Sequence, residues 1–158
     1  MNTLETYKLN KSTILAVLRA AGATTATVTY AGVGDDGGIE DMIIEGLPDQ
    51  STVAQILAAS VMETVESYPW NPQTRSRPDV PVVSTQEIRV DMALENLMWD
   101  AIELAGHGGW ENGAGGGGEF ILDVAGGTST LDHYDNYTEE LHYSWSEQSA
   151  EQALEGVL

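Results

Sequence analysis

Residues 119–134 read EFILDVAGGTSTLDHY, and this stretch decides the fold. Two alternating runs, EFILDV and TSTLDHY, flank Gly126-Gly127, a two-residue hairpin signal. Successive side chains on a strand point to opposite faces. Pairing through that turn therefore puts Phe120, Leu122, Val124 and Leu131 on one face, together with His133. Glu119, Asp123, Asp132 and Tyr134 take the other. One face suits a core, and the other is acidic.

A second hairpin is read over residues 24–45. In TTATVTYA, Ala26, Val28 and Tyr30 share one face, and Thr25, Thr27 and Thr29 share the other. The turn GVGDDGG follows, then IEDMIIEG returns. Asp35 and Asp36 beside glycine are ordinary turn chemistry.

Apolar spacing predicts a helix over 12–21 through Ile14, Val17, Leu18 and Ala21, with Ser12 as N-cap and Gly22 as stop. The same logic reads 51–67 as helical, with Val53, Ile56, Leu57, Ser60 and Val61 on one stripe. Pro69, Pro72, Pro78 and Pro81 forbid a helix in the next stretch and predict an exposed loop, with VPVVST as a short strand. A further helix is expected over 91–105, capped by Asp91, with Val90, Leu94, Leu97, Ala101 and Leu104 as its buried seam. Eight of the thirteen residues from Gly106 to Gly118 are glycine. LHYSWS is a candidate strand, and SAEQALEGVL a candidate helix opened by a Ser149–Gln152 capping box. The expected fold class is a single α+β domain over 1–158, with 137–158 as a C-terminal extension. Its antiparallel sheet is built from hairpins, with two to three helices packed on one face.

Charge is one-sided. Arg89 is the last basic side chain. The first 89 residues hold eleven acids and six bases, and the rest hold fourteen acids, giving −5 and −14 within a total of −19. Such a balance argues against direct binding to DNA, RNA or an anionic membrane, each of which needs basic neutralisation. The absence of cysteine excludes disulfides, thiolate metal sites and cysteine nucleophiles. With no signal-peptide pattern and no membrane-length apolar run, the expected compartment is the cytoplasm.

Two segments carry a resemblance: LRAAGATTATVTYAGVGDDGGIED, residues 18–41, and ALENLMWDAIELAGHGGWENGAGGGGEFILDVAGGTSTLDHYDNY, residues 93–137. Together they resemble the DUF6878 family of small acidic bacterial proteins. The likeness lies in the helix leading to HGGWEN, the glycine run, the EF-x-x-DVA hairpin and TLDH. Residues 47–84 and the tail depart from it. The resemblance implies an origin in phages or mobile elements and an accessory or anti-defence role.

HGGWEN, residues 107–112, offers a histidine, a carboxylate and an amide for a metal or for acid–base work. The plainer reading is a loop anchored by Trp110, with glycines supplying positive φ. Asp132, His133, Asp135 and Asn136 cluster at the hairpin exit, where oxygen ligands suit a divalent cation. His107, Glu111, Asp132 and Asp135 are thus the candidate metal ligands. Alternation sets His133 opposite Asp132, so both reach one ion only if the strand ends there. No HExxH, GxSxG or phosphate-cradling Gly-Lys-Ser/Thr is present.

The leading expectation is a non-enzymatic inhibitor that mimics nucleic acid and binds a basic, nucleic-acid-binding host protein, with no cofactor. Its candidate contacts are Glu111, Glu119, Asp123, Asp132, Asp135, Glu139 and Glu140. The alternatives are a metal-dependent enzyme or metal-binding module, and a structural or assembly protein of a halophilic or viral system; a homodimer is compatible with each. Mimicry predicts acids gathered on one face, whereas salt adaptation predicts an even spread.

Overall fold

The computed structural model describes residues 2–34 and 36–136. Glu139, Glu140, LHYSWS, the Ser149–Gln152 box, the 137–158 extension and Asp35 lie outside the described residues. The elements run α1 (Thr3–Ala21), β1 (Thr25–Val33), β2 (Asp36–Glu45), a 3-10 turn (Gln50–Thr52), α2 (Val53–Leu57), β3 (Ser60–Ser67), β4 (Val82–Arg89), α3 (Val90–Leu104), β5 (Gly116–Asp123) and β6 (Thr128–Asp135). This is an α+β fold with two antiparallel sheets, ordered β2-β1-β5-β6 and β3-β4. No helix among the described residues is long and apolar enough to cross a membrane.

Both expected hairpins form, and β1 pairs with β5 to join them. Ala26, Val28, Tyr30, Phe120, Leu122 and Ile44 fill the inner face. They are covered by Ile14, Leu15 and Leu18 of α1 and by Leu94, Leu97, Met98 and Ile102 of α3. Burying a side chain of this size contributes roughly 1.5–3 kcal/mol.

Several elements differ from the sequence reading. α1 starts at Thr3, because Asn2 and Glu5 form a reciprocal capping box. Tyr7 and Asn10 then extend the buried stripe of Ile14 and Leu18, while Ser12 bonds only Leu9 O within the helix. Gly22, at φ 83, ends it as expected. The 51–67 helix is overturned: α2 stops at Leu57, and 60–67 is strand β3. Branched Val61, Thr64 and Val65 fit a strand, and the whole run pairs antiparallel with β4. The proline-rich loop joins β3 to β4 and is exposed, as expected.

In α3, Met98 and Ile102 complete the buried seam, and Leu104 is exposed. Arg89, not Asp91, is the N-cap residue and makes no side-chain cap; Asp91 instead pairs with Arg89 at 3.0 Å. Glu95 lies beyond the first turn. Glycines 116–118 belong to β5 rather than to the loop.

The small sheet docks through Val61 and Ile88, which pack on the core, and through polar contacts. Buried Asn10 donates to Thr64 O at 3.0 Å and accepts from Thr64 N at 2.7 Å, acting as a surrogate strand. Beside it lies a cavity of about 310 Å³ lined by Asn10, Glu63, Glu66, Asn96, Trp99 and Asp100. Burial, then the charges of Glu63 and Glu103, push the Asp100 carboxyl up to about 6. Between its ordinary value and 6, the native chain binds a proton that the unfolded chain has released. Stability from this group is therefore full below pH 4 and is lost as pH rises through 6. Asp100→Asn should stabilise the protein at pH 7 by about 1 kcal/mol after solvent screening, with the advantage vanishing near pH 4. Urea unfolding of both chains at the two pH values checks this, and an advantage independent of pH contradicts it.

Candidate functional site

The glycine loop leaves α3 through Gly106 at φ 85, where His107 N donates to Ile102 O. That places His107 just past the helix end. Trp110 then plugs into the core, edge-on to Tyr30 at 5.1 Å and stacked on Trp99 at 5.9 Å. The far side of the loop is pinned twice. Gly34 N donates to Gly113 O, and Asn136 donates from its backbone to Gly115 O and from its amide to Ala114 O. The plainer reading of HGGWEN, a loop anchored by its tryptophan, describes this geometry.

The same anchoring builds a cluster. His107 stacks on His133 with ring centres 4.3 Å apart. The His133 side chain is 2% exposed; its Nδ1 meets the Tyr30 hydroxyl at 2.7 Å and its Nε2 meets Asp135 Oδ1 at 2.9 Å. Burial, followed by the charges of Asp132 and Asp135, pushes the Tyr30 hydroxyl up to about 12, so it keeps its proton at neutral pH. The result is a Tyr30–His133–Asp135 chain whose Asp135 end, with His107, lines a polar cavity of about 280 Å³. Gly108, Gly109, Asn112 and Asn136 help to line it.

This arrangement changes the candidate metal set. One donor atom each from His107, His133 and Asp135 lie within 4.8 Å of one another. Glu111 and Asp132 are not in that group. β6 continues to Asp135, so alternation holds Asp132 on the opposite face. Glu111 backs onto Gly37 of β2, and its Oε2 is buried without a partner among the described residues, as is the Trp110 indole nitrogen.

The outer face of the large sheet is different. Pairing lines up Asp41, Thr29, Glu119 and Asp132 across β2, β1, β5 and β6. A second row holds Glu45, Thr25, Asp123 and Thr128, and Ile43, Thr27, Ile121 and Thr130 lie between. All five carboxylates are exposed. The six bases sit elsewhere: Lys8, Lys11 and Arg19 on α1, Arg75 and Arg77 in the proline-rich loop, and Arg89 at the end of β4. Of the candidate contacts, Glu119, Asp123 and Asp132 lie on this face, and Glu111 and Asp135 do not. Asp41 and Glu45 were missed, although the alternation of IEDMIIEG around Met42 and Ile44 already places them there.

Residues 6–147 match the family described as "Family of unknown function (DUF6878)". The chain belongs to this family. The DUF6878 match runs through residues 47–84, so the middle of the chain is part of the family pattern rather than a departure from it. No curated protein and no solved structure matches the chain significantly.

In this DUF6878 protein, Gly115 sets the loop's approach to the sheet. It has φ 74, and an added Cβ would lie 1.9 Å from Gly32 O. Gly115→Ala should destabilise by more than roughly 2 kcal/mol, since positive φ and a backbone clash combine. A thermal melt that matches the parent would contradict this account of the loop.

Proposed function

We propose that the protein is a non-catalytic binding module that offers its open, acidic sheet face to a basic, nucleic-acid-binding protein. One observation carries the reading: three carboxylates, Asp41, Glu119 and Asp132, stand in one cross-strand row on a face without lysine or arginine. Glu119 and Asp132 are direct partners, and like charges placed opposite each other destabilise a sheet. Folding alone gives no reason for that pair, whereas a basic partner would offset the repulsion.

The physical basis is spacing. Neighbouring strands lie about 4.8 Å apart, and same-face residues along a strand about 6.7 Å apart. Carboxylates on such a grid approach the charge density of a phosphate backbone. Occupying a basic groove in this way would inhibit its owner without any chemical step, which agrees with the absence of a catalytic motif. The threonines between the acids supply hydroxyl donors and acceptors to the same surface.

The test compares two double variants of equal charge. Glu119→Gln/Asp132→Asn neutralises the row; Asp79→Asn/Glu87→Gln removes as much charge from exposed positions in the proline-rich loop and β4. Binding to a labelled arginine-rich peptide is expected to weaken at least fivefold in the first and to change little in the second. It should also weaken as salt rises from about 0.05 to 0.2 M. The first variant should meanwhile gain a few tenths of a kcal/mol in stability from relieved repulsion. Equal weakening in both variants, or affinity indifferent to salt, would remove the proposal.

A further inference from the structure

We infer that His107, His133 and Asp135 form a three-ligand site for a divalent transition-metal ion, open toward the cavity beside the glycine loop. The site lies on the core-facing side of β6 and owes nothing to the acidic outer face. It unites residues from two distant segments: the loop after α3 and the end of β6.

The geometry is that of a ligand set close to closing. With metal–donor distances of about 2.0–2.2 Å, two donors on one ion can lie no more than about 4.3 Å apart. The three donors here lie within 4.8 Å, and the His133 Nε2 to Asp135 Oδ1 spacing is already 2.9 Å. At tetrahedral or cis angles two such donors lie about 3.0–3.5 Å apart, so closure draws the widest pair together by up to about 1.5 Å and turns the His107 ring. The sequence permits both. His107 is flanked by Gly106, Gly108 and Gly109, and Asp135 is exposed, while packing fixes His133.

Tyr30 supplies the partner that metal-bound histidines usually have on their other nitrogen. Its hydroxyl both donates and accepts, so it can accept a hydrogen bond from His133 Nδ1–H and leave the Nε2 lone pair for the ion. That makes Tyr30 a positioning residue. Two imidazoles with one carboxylate suit Zn²⁺, Fe²⁺, Co²⁺ or Ni²⁺ better than Ca²⁺ or Mg²⁺, which favour all-oxygen shells. Three protein donors leave a coordination position free, and that position would meet the polar cavity. Trp110, whose buried indole N–H has no acceptor among the described residues, lines the same cavity.

The experiment is a Zn²⁺ titration of the full chain after chelator treatment, by calorimetry in a large excess of Mg²⁺, which masks adventitious carboxylates. A parallel Co²⁺ titration reads the ligand set from its visible spectrum. One saturable zinc per chain is expected, with a rise in Tm. His107→Ala and Asp135→Asn should each weaken binding at least tenfold while keeping the parent's circular dichroism. Tyr30→Phe should weaken it about ten- to a hundredfold. Zinc binding that Mg²⁺ abolishes, or that His107→Ala leaves unchanged, would overturn the site. A Co²⁺ spectrum without nitrogen ligation would do the same.

Discussion

The pairing of β1 with β5 is the contact on which the rest of the structure depends. Each hairpin is local in sequence, but only this ladder, from Thr25 opposite Asp123 to Gly32 opposite Gly116, makes one sheet of them. It sets the apolar residues of both hairpins on a common inner face for α1 and α3 to cover. It also fixes what surrounds Tyr30. Side chains at Gly117 and Gly118 would fall 2.5 Å from Tyr30 O and 2.8 Å from its hydroxyl oxygen. The missing side chain at Gly118 lets the phenol cross β5 and reach His133 on β6. The glycine run is thus less a flexible loop than a clearing through which one strand's tyrosine meets another strand's histidine.

The acidic charge follows the same division. On the inner side, carboxylates are few and held: Asp135 by His133, Glu63 by Asn96 and Gln86. Glu111, whose Oε2 has no partner among the described residues, and Asp100 are exceptions, and the raised pKa of Asp100 expresses the strain of a partly buried charge beside other acids. On the outer side the carboxylates are exposed and have no ion-pair partner among the described residues. Acids occur on other surfaces too, so part of the net charge fits general solvation or a salty medium. The ordered row across four strands is the part that a uniform salt adaptation does not explain.

Much of the frame was legible in the sequence. EFILDVAGGTSTLDHY fixed a hairpin, its two faces and the inward place of His133, because strand alternation is strict. What was lost lay where local signals compete. The apolar spacing of STVAQILAASVMETVES, residues 51–67, fits a helix stripe, and only the distant β4 and Asn10 make 60–67 a strand. The structure groups His107 and Asp135 with His133 rather than with Glu111 and Asp132. Glu111 lies four residues from His107 in sequence, yet the Trp110 anchor turns it toward β2, and β6 runs one residue past TSTLDHY, to Asp135. His133 entered the cluster through a β1–β5 register that no single segment encodes.

The central claim is that one sheet keeps two chemistries apart, a histidine-centred cluster on its inner side and an acidic surface on its outer side. Zinc affinity of an Asp41→Asn/Glu119→Gln/Asp132→Asn chain tests it most directly. At about 0.15 M salt, where charges on opposite faces are largely screened, the affinity should stay within severalfold of the parent's. A loss as large as that caused by His107→Ala would mean that the outer carboxylates hold the ion, and the division would fail.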